Sequence, residues 1–146
     1  MASTLASAPT GSSGPARVLD LDTSSPSDLM AAVRDGLPFT ALEAIATQLE
    51  LPAAEIGILL GIPLRTFARR RKTHQLTPPE SDRLYRLART FAQASEVLGS
   101  ATKARLWLQT ANRALGGEVP LQLLDTDIGA RQVEDVLLRL SYGVYS

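Results

Sequence analysis

The densest cluster of chemically capable side chains in this 146-residue sequence is cationic: Arg65, Arg69, Arg70, Arg71 and Lys72. A guanidinium fork suits bidentate hydrogen bonding to guanine O6 and N7 in the DNA major groove, and a good contact of that kind discriminates between bases by ~1–3 kcal/mol. Arg65 and Arg69 are therefore the candidate base readers, with Thr66, Arg70, Arg71 and Lys72 the candidate phosphate contacts. A basic run is equally what a solvated helix face looks like, so the segment in front of it decides how it is read.

That segment runs Glu55-Ile56-Gly57-Ile58-Leu59-Leu60-Gly61-Ile62-Pro63-Leu64-Arg65-Thr66-Phe67-Ala68-Arg69. Gly57 is small where two helices would cross closely, Gly61 can make the tight turn, and Ile56, Leu60, Ile62, Leu64 and Phe67 can lock the pair together. This is the spacing of a helix-turn-helix. Advancing about 100° per residue from Leu64, Phe67 and Ala68 share its side, while Arg65, Arg69 and Lys72 fall together a quarter-turn or more away. An anchoring face of Leu64, Phe67 and Ala68 and a separate basic face are expected. Arg70 departs from the pattern, because its position is usually apolar.

No other constellation can be assembled. The chain has no cysteine and one histidine, which excludes disulfide scaffolds, thiol catalysis and Cys-based zinc sites. No nucleophile with a base and no Gly-rich phosphate loop is present, so no catalytic residue, cofactor or metal ligand is assigned and the chain is read as a non-enzyme. His74 is expected as a solvated loop histidine, a phosphate contact being the alternative. Glu80 and Asp82 are explained by a helix start, and Trp107 by the core.

The elements that must position these residues read as helices throughout, giving an all-α fold. Residues 1–25 are expected as a disordered tail, because small polar residues, Gly and Pro offer little apolar surface. Neither a basic start with an apolar core nor an arginine-rich presequence is visible, and no run of 18 apolar residues occurs, so a cytoplasmic location is expected. A helix from Pro26 to about Gly36 turns Leu29, Met30 and Val33 inward, and Thr40 with Glu43 can form a capping box for the next helix. Helices Pro52 to Leu60 and Pro63 to Lys72 complete a helix-turn-helix domain over residues 26–76. Thr77-Pro78-Pro79-Glu80 then combines a capping box with proline at the first helical position and opens a small helical domain over 77–146. Gly99 stops that helix, Ser100 opens a short one, Gly116-Gly117 marks an ordered turn, and a last helix runs from Thr126 to about Tyr142.

The formal charge is zero, 15 basic against 15 acidic residues, but only in sum. Residues 1–62 hold two basic and seven acidic groups. Residues 63–89 hold Arg65, Arg69, Arg70, Arg71, Lys72, Arg83, Arg86 and Arg89 against Glu80 and Asp82, a net +6. The basic third of the chain is the one with the helix-turn-helix spacing.

On the last helix, Val133, Val136, Leu137 and Leu140 form a buried stripe, and Arg131, Leu138 and Tyr142 project about 140° to 180° from Val133. Two readings of this outward trio stand: packing against the Gly116-Gly117 turn, or a partner-binding surface continued by Gly143, Val144, Tyr145 and Ser146.

From about Leu60 onward the chain resembles the MbcA/ParS/Xre antitoxin family. The resemblance is carried by Arg69-Arg70-Arg71-Lys72, Glu80-Ser81-Asp82-Arg83-Leu84, Asn112-Arg113-Ala114-Leu115-Gly116-Gly117, Pro120-Leu121-Gln122-Leu123-Leu124-Asp125-Thr126 and Gly129-Ala130-Arg131-Gln132-Val133-Glu134-Asp135. It implies the antitoxin of a type II toxin-antitoxin pair whose partner is a RES-domain toxin acting on NAD, with an N-terminal region that binds the promoter DNA of its own operon. By position, Arg65, Arg69 and Lys72 fall in the DNA region, and Arg131, Leu138, Tyr142 and the tail to Ser146 in the toxin-blocking region. A homodimer is expected, since paired recognition helices one DNA turn apart read a short palindrome. The alternative is a stand-alone helix-turn-helix regulator with no toxin partner.

Overall fold

A computed structural model describes residues 14–23 and 25–143. Among these the chain forms α1 (Pro15–Val18), α2 (Pro26–Asp35), α3 (Phe39–Leu49), α4 (Ala53–Leu59), α5 (Leu64–Thr73), α6 (Pro78–Leu98), α7 (Ala101–Leu108) and α8 (Asp127–Ser141), with 3-10 turns at Arg113–Leu115 and Pro120–Asp125. The fold is all-α; the only β pairing among the described residues is two isolated bridges.

The strongest local signals act as expected. Thr77 Oγ accepts the Glu80 N–H and Glu80 returns a carboxylate oxygen to the Thr77 N–H, a complete capping box at the start of α6. Gly99 closes α6 in the left-handed region at φ 97°, and Ser100 caps α7 through the Lys103 N–H. Gly116-Gly117 sits in an ordered turn held by the Asn112 to Glu118 bridge.

The organising element is α6. It packs against α1 and α2 toward one end of the chain and against α7 and α8 toward the other. One apolar core therefore runs without a break from Val18 to Leu137, through Phe91, Leu84 and Leu87 of α6. The division expected between residues 76 and 77 falls at the α6 cap, and the core crosses it.

Three expectations fail for identifiable reasons. Residues 14–23 are not a disordered tail: Ala16, Val18 and Leu19 are buried, Leu19 at 1% exposure, and Gln48 Nε2 donates to the Val18 carbonyl. Only three apolar side chains are fully buried, with Leu21 partly so, too few to register as a pattern, and their stability comes from docking against α3 and α6. Residues 1–13 and 24 lie outside the described set. The Thr40–Glu43 capping box does not form, because α3 starts two residues earlier, with Pro38 rather than Thr40 at the N-cap. The Phe39 N–H is taken by the His74 carbonyl and its ring packs edge-on against Phe67 at 5.3 Å, so the core fixes the helix start. Met30 is half-exposed, since α2 leans on α6 through Leu29 and leaves Met30 on the rim of a groove with Val33 and Tyr85.

If α1 is part of the core, Leu19→Ala should lower stability by about 2–4 kcal/mol, as for other buried leucines. In a thermal melt that is a fall of very roughly 5–15 °C. A melting temperature within a degree of wild type would mean that residues 14–23 contribute nothing to the fold.

Candidate nucleic-acid and partner surfaces

The helix-turn-helix is built as its spacing implies. Gly57 on α4 is buried against Phe67 of α5, and a Cβ there would lie 2.6 Å from the Phe67 ring, so no other residue lets the two helices approach this closely. Gly61 makes the turn at φ 73°, and the Ile62 N–H closes it on the Gly57 carbonyl. After α5, the Leu76 N–H donates to the Leu37 carbonyl and the Leu37 N–H donates to Ser81 Oγ at 2.7 Å, which ties the exit of α5 to both α2 and α6.

The orientation of α5 differs from the expected one. Its inward side is Thr66, Phe67 and Arg70, while Leu64 is 69% exposed and Ala68 is also exposed. Relative to an anchoring face of Leu64, Phe67 and Ala68, the helix is rotated about a quarter-turn.

The cause is Arg70. Its Nε donates to Glu80 Oε1 at 2.8 Å and its Nη2 to Oε2 at 3.1 Å, a bidentate pair with both side chains mostly buried. Burial alone would push the Glu80 carboxyl up; the Arg70 hydrogen bonds and charge, with those from Thr77, outweigh it and hold the pKa below the usual range. An arginine thus occupies the position where an apolar residue is usual, because the capping carboxylate of α6 neutralises it. Arg70 is accordingly turned away from the outer face, contrary to its expected place among phosphate contacts. Arg71 lies over Phe39 and Phe67, 5.6 and 5.2 Å from the ring centroids.

The arginines of α6 are engaged internally as well. Arg83 Nη1 donates to the Leu60 carbonyl at 2.8 Å, Arg86 pairs with Asp82, and Arg89 pairs with Glu134 of α8 at 2.8 Å. Among the described residues, the cations of the +6 segment without an ion pair, a stacking ring or a carbonyl partner are Arg65, Arg69 and Lys72, together on the outer face of α5, while Thr66, expected among the phosphate contacts, is turned toward the inward side. His74 is exposed and ends α5 in the left-handed region.

The second surface is on α8. Thr126 caps it through the Gly129 N–H, and Ala130, Val133, Val136 and Leu137 are buried. Leu138 at 47% and Tyr142 at 77% exposure project from the opposite side with Arg131, which pairs with Asp127 one turn back at 2.9 Å. The cleft beside Gly116 is lined instead by Gln132, Asp135, Val136 and Arg139, so the outward trio does not pack on the Gly116-Gly117 turn. Ile128, at 75% exposure, lies on the same broad side of α8, about 220° from Val133 and so outside the 140° to 180° sector of the expected trio. Its spacing of three residues before Arg131 was the available signal. Gly143 closes the described chain at φ 70°; Val144, Tyr145 and Ser146 lie outside it.

Fold and surfaces together define a class: a helix-turn-helix protein whose second helix carries a basic outer face, joined through one long helix to a second helical unit with an exposed apolar ridge. Two family models match the chain, with the boundary between them inside α6. Residues 28–89 match the antitoxin Xre-like helix-turn-helix domain, and residues 93–143 match the antitoxin Xre/MbcA/ParS C-terminal toxin-binding domain. The chain is 35% identical over 133 residues to a protein named Antitoxin Xre from Yersinia enterocolitica, covering 89% of each. It is 45% identical over 83 residues to an Antitoxin Xre from Pseudomonas putida, 56% of this chain and 52% of that one, and 30% identical over 132 residues, 89% of each, to one from Photorhabdus laumondii. The chain belongs to the Xre antitoxin family.

The Arg70–Glu80 lock has a pH signature. A carboxyl whose folded pKa is lowered contributes stability above its unfolded pKa and loses it as pH falls through the folded value. Glu80→Gln should therefore cost about 1–3 kcal/mol at pH 7 in urea unfolding, with the gap to wild type shrinking below about pH 4. An equal gap at pH 7 and pH 3 would mean that the ionised carboxylate is not what holds α5.

Proposed function

We propose that this protein is the antitoxin of a type II toxin-antitoxin pair. In this reading its C-terminal domain binds a RES-domain toxin and occludes the NAD site, and its helix-turn-helix represses its own promoter, as a homodimer in the cytoplasm. The observation that carries the reading is the α8 ridge. Ile128, Leu138 and Tyr142 lie exposed on one broad side of a helix whose other side is core, within the stretch that matches a toxin-binding domain. An aromatic, two aliphatic side chains and Arg131 are the composition of interface anchors rather than of a solvated helix. Gly143, Val144, Tyr145 and Ser146, which follow Tyr142 in the sequence, are proposed as part of the toxin-contacting segment.

The basic face of α5 supports the other half. Arg65 and Arg69 are the proposed base readers, and Lys72 the proposed phosphate contact. Few cations are free, so the electrostatic component of DNA binding is modest per protomer and a dimer is the economical way to reach useful affinity.

The two halves separate by mutation. Arg65→Ala and Arg69→Ala should each weaken binding to the upstream promoter by about 5- to 100-fold at fixed salt, while Lys72→Ala lowers the salt slope by about 1. Unchanged binding in all three would remove α5 from the DNA interface.

Deleting Tyr142 to Ser146, or Ile128→Asp, should release the toxin while leaving promoter binding intact. For Ile128→Asp the loss of toxin affinity should reach about 30-fold or more. The assay is co-expression with the neighbouring gene product, purification of the complex and measurement of NAD. Full inhibition by both variants would place the neutralising surface elsewhere.

A further inference from the structure

The outer face of α5 is not uniformly basic. Leu64 and Ala68, exposed because of the Arg70–Glu80 lock, lie between Arg71 on one flank and Arg65, Lys72 and Arg69 on the other. A single exposed leucine carries no meaning. This one sits in the first turn of the second helix of a helix-turn-helix, the part that reaches base edges, one residue from Arg65 and one helical turn from Ala68. The thymine C5-methyl is the apolar group that a major groove presents, beside the acceptors of guanine that arginine reads.

We infer that Leu64 and Ala68 read thymine methyl groups next to the guanine read by Arg65, so that the preferred half-site contains a thymine adjacent to a guanine. The inference rests on the reading of α5 as the DNA-contacting helix and adds which bases it selects. The side chains that compete for the same floor are accounted for: Thr66, Phe67 and Arg70 face inward, and Arg71 lies over Phe39 and Phe67. Leu64 and Ala68 are separated by about 6 Å along the helix, which spans about two base steps of about 3.4 Å. One or two thymines per half-site are therefore within reach.

The test uses the full chain and a randomised duplex library, from which bound sequences are selected at fixed salt. Each thymine of the selected half-site is then replaced in turn by deoxyuridine, which removes the methyl group alone. At one or two positions wild-type affinity should fall by about 3- to 10-fold. That penalty should vanish in Leu64→Ala or in Ala68→Ser, and should survive in Lys72→Ala. Because both side chains are exposed, thermal melts of the two variants should match wild type, which separates lost contact from lost fold. The inference is overturned if no deoxyuridine position weakens wild-type binding, or if the penalty persists undiminished in both variants. Failure to select any sequence over non-specific duplex would overturn the DNA reading itself, a result distinguishable from sequence-selective binding that ignores the methyl group.

Discussion

One carboxylate fixes the geometry on which the outer face of α5 depends. Glu80 Oε1 accepts from the Thr77 N–H at 2.9 Å and from Arg70 Nε at 2.8 Å, while Oε2 accepts from Arg70 Nη2 at 3.1 Å. The same group therefore starts α6 and sets the rotation of α5. A mostly buried ion pair is no strong source of net stability, because desolvation offsets much of the Coulomb attraction. Its effect is orientational: with Arg70 paired inward, Leu64, Arg65, Ala68 and Arg69 can only face out. Removing either partner would leave a charge stranded in a poorly solvated site, so the arrangement behaves as a two-part lock.

The same logic reorders the electrostatics. A net charge of +6 over residues 63–89 suggests a broad basic patch, yet most of those cations brace the fold. Arg83 reaches back to the Leu60 carbonyl at the helix-turn-helix turn, and Arg89 reaches forward to Glu134 on α8. Together with the core that passes through α6, these contacts join the two domains across the long helix. What remains outward on α5 is a narrow strip of cations beside two apolar side chains. A strip of that kind is suited to base-edge contact more than to bulk attraction to phosphate.

Much of this was legible in the sequence where the signal is local. Thr77-Pro78-Pro79-Glu80, Gly99-Ser100 and Gly57 with Gly61 each encode a cap, a stop or a close approach within a few residues, and each is realised as such. What could not be read is decided by groups far apart in the chain. Val18 and Leu19 become core only because α3 and α6 present a surface to them, and α3 begins at Phe39 because its N–H meets the His74 carbonyl. Ile128 required knowing which side of α8 the core takes.

The rotation of α5 is the instructive case. A helical wheel ranks faces by hydrophobicity, and on that basis Leu64 and Ala68 belong inside and Arg70 outside. The ranking assumes that a charge has no partner in the interior. Glu80 supplies one, already desolvated by its role at the start of α6, so much of the cost of burying the arginine partner is met by an acceptor the fold needs for another purpose. Once that pair forms, the inward side is Thr66, Phe67 and Arg70, and the alternative rotation would strand Glu80 without its arginine. A polar pair chosen for its geometry thus overrides the apolar pattern, and the residues it expels become the ones available for recognition.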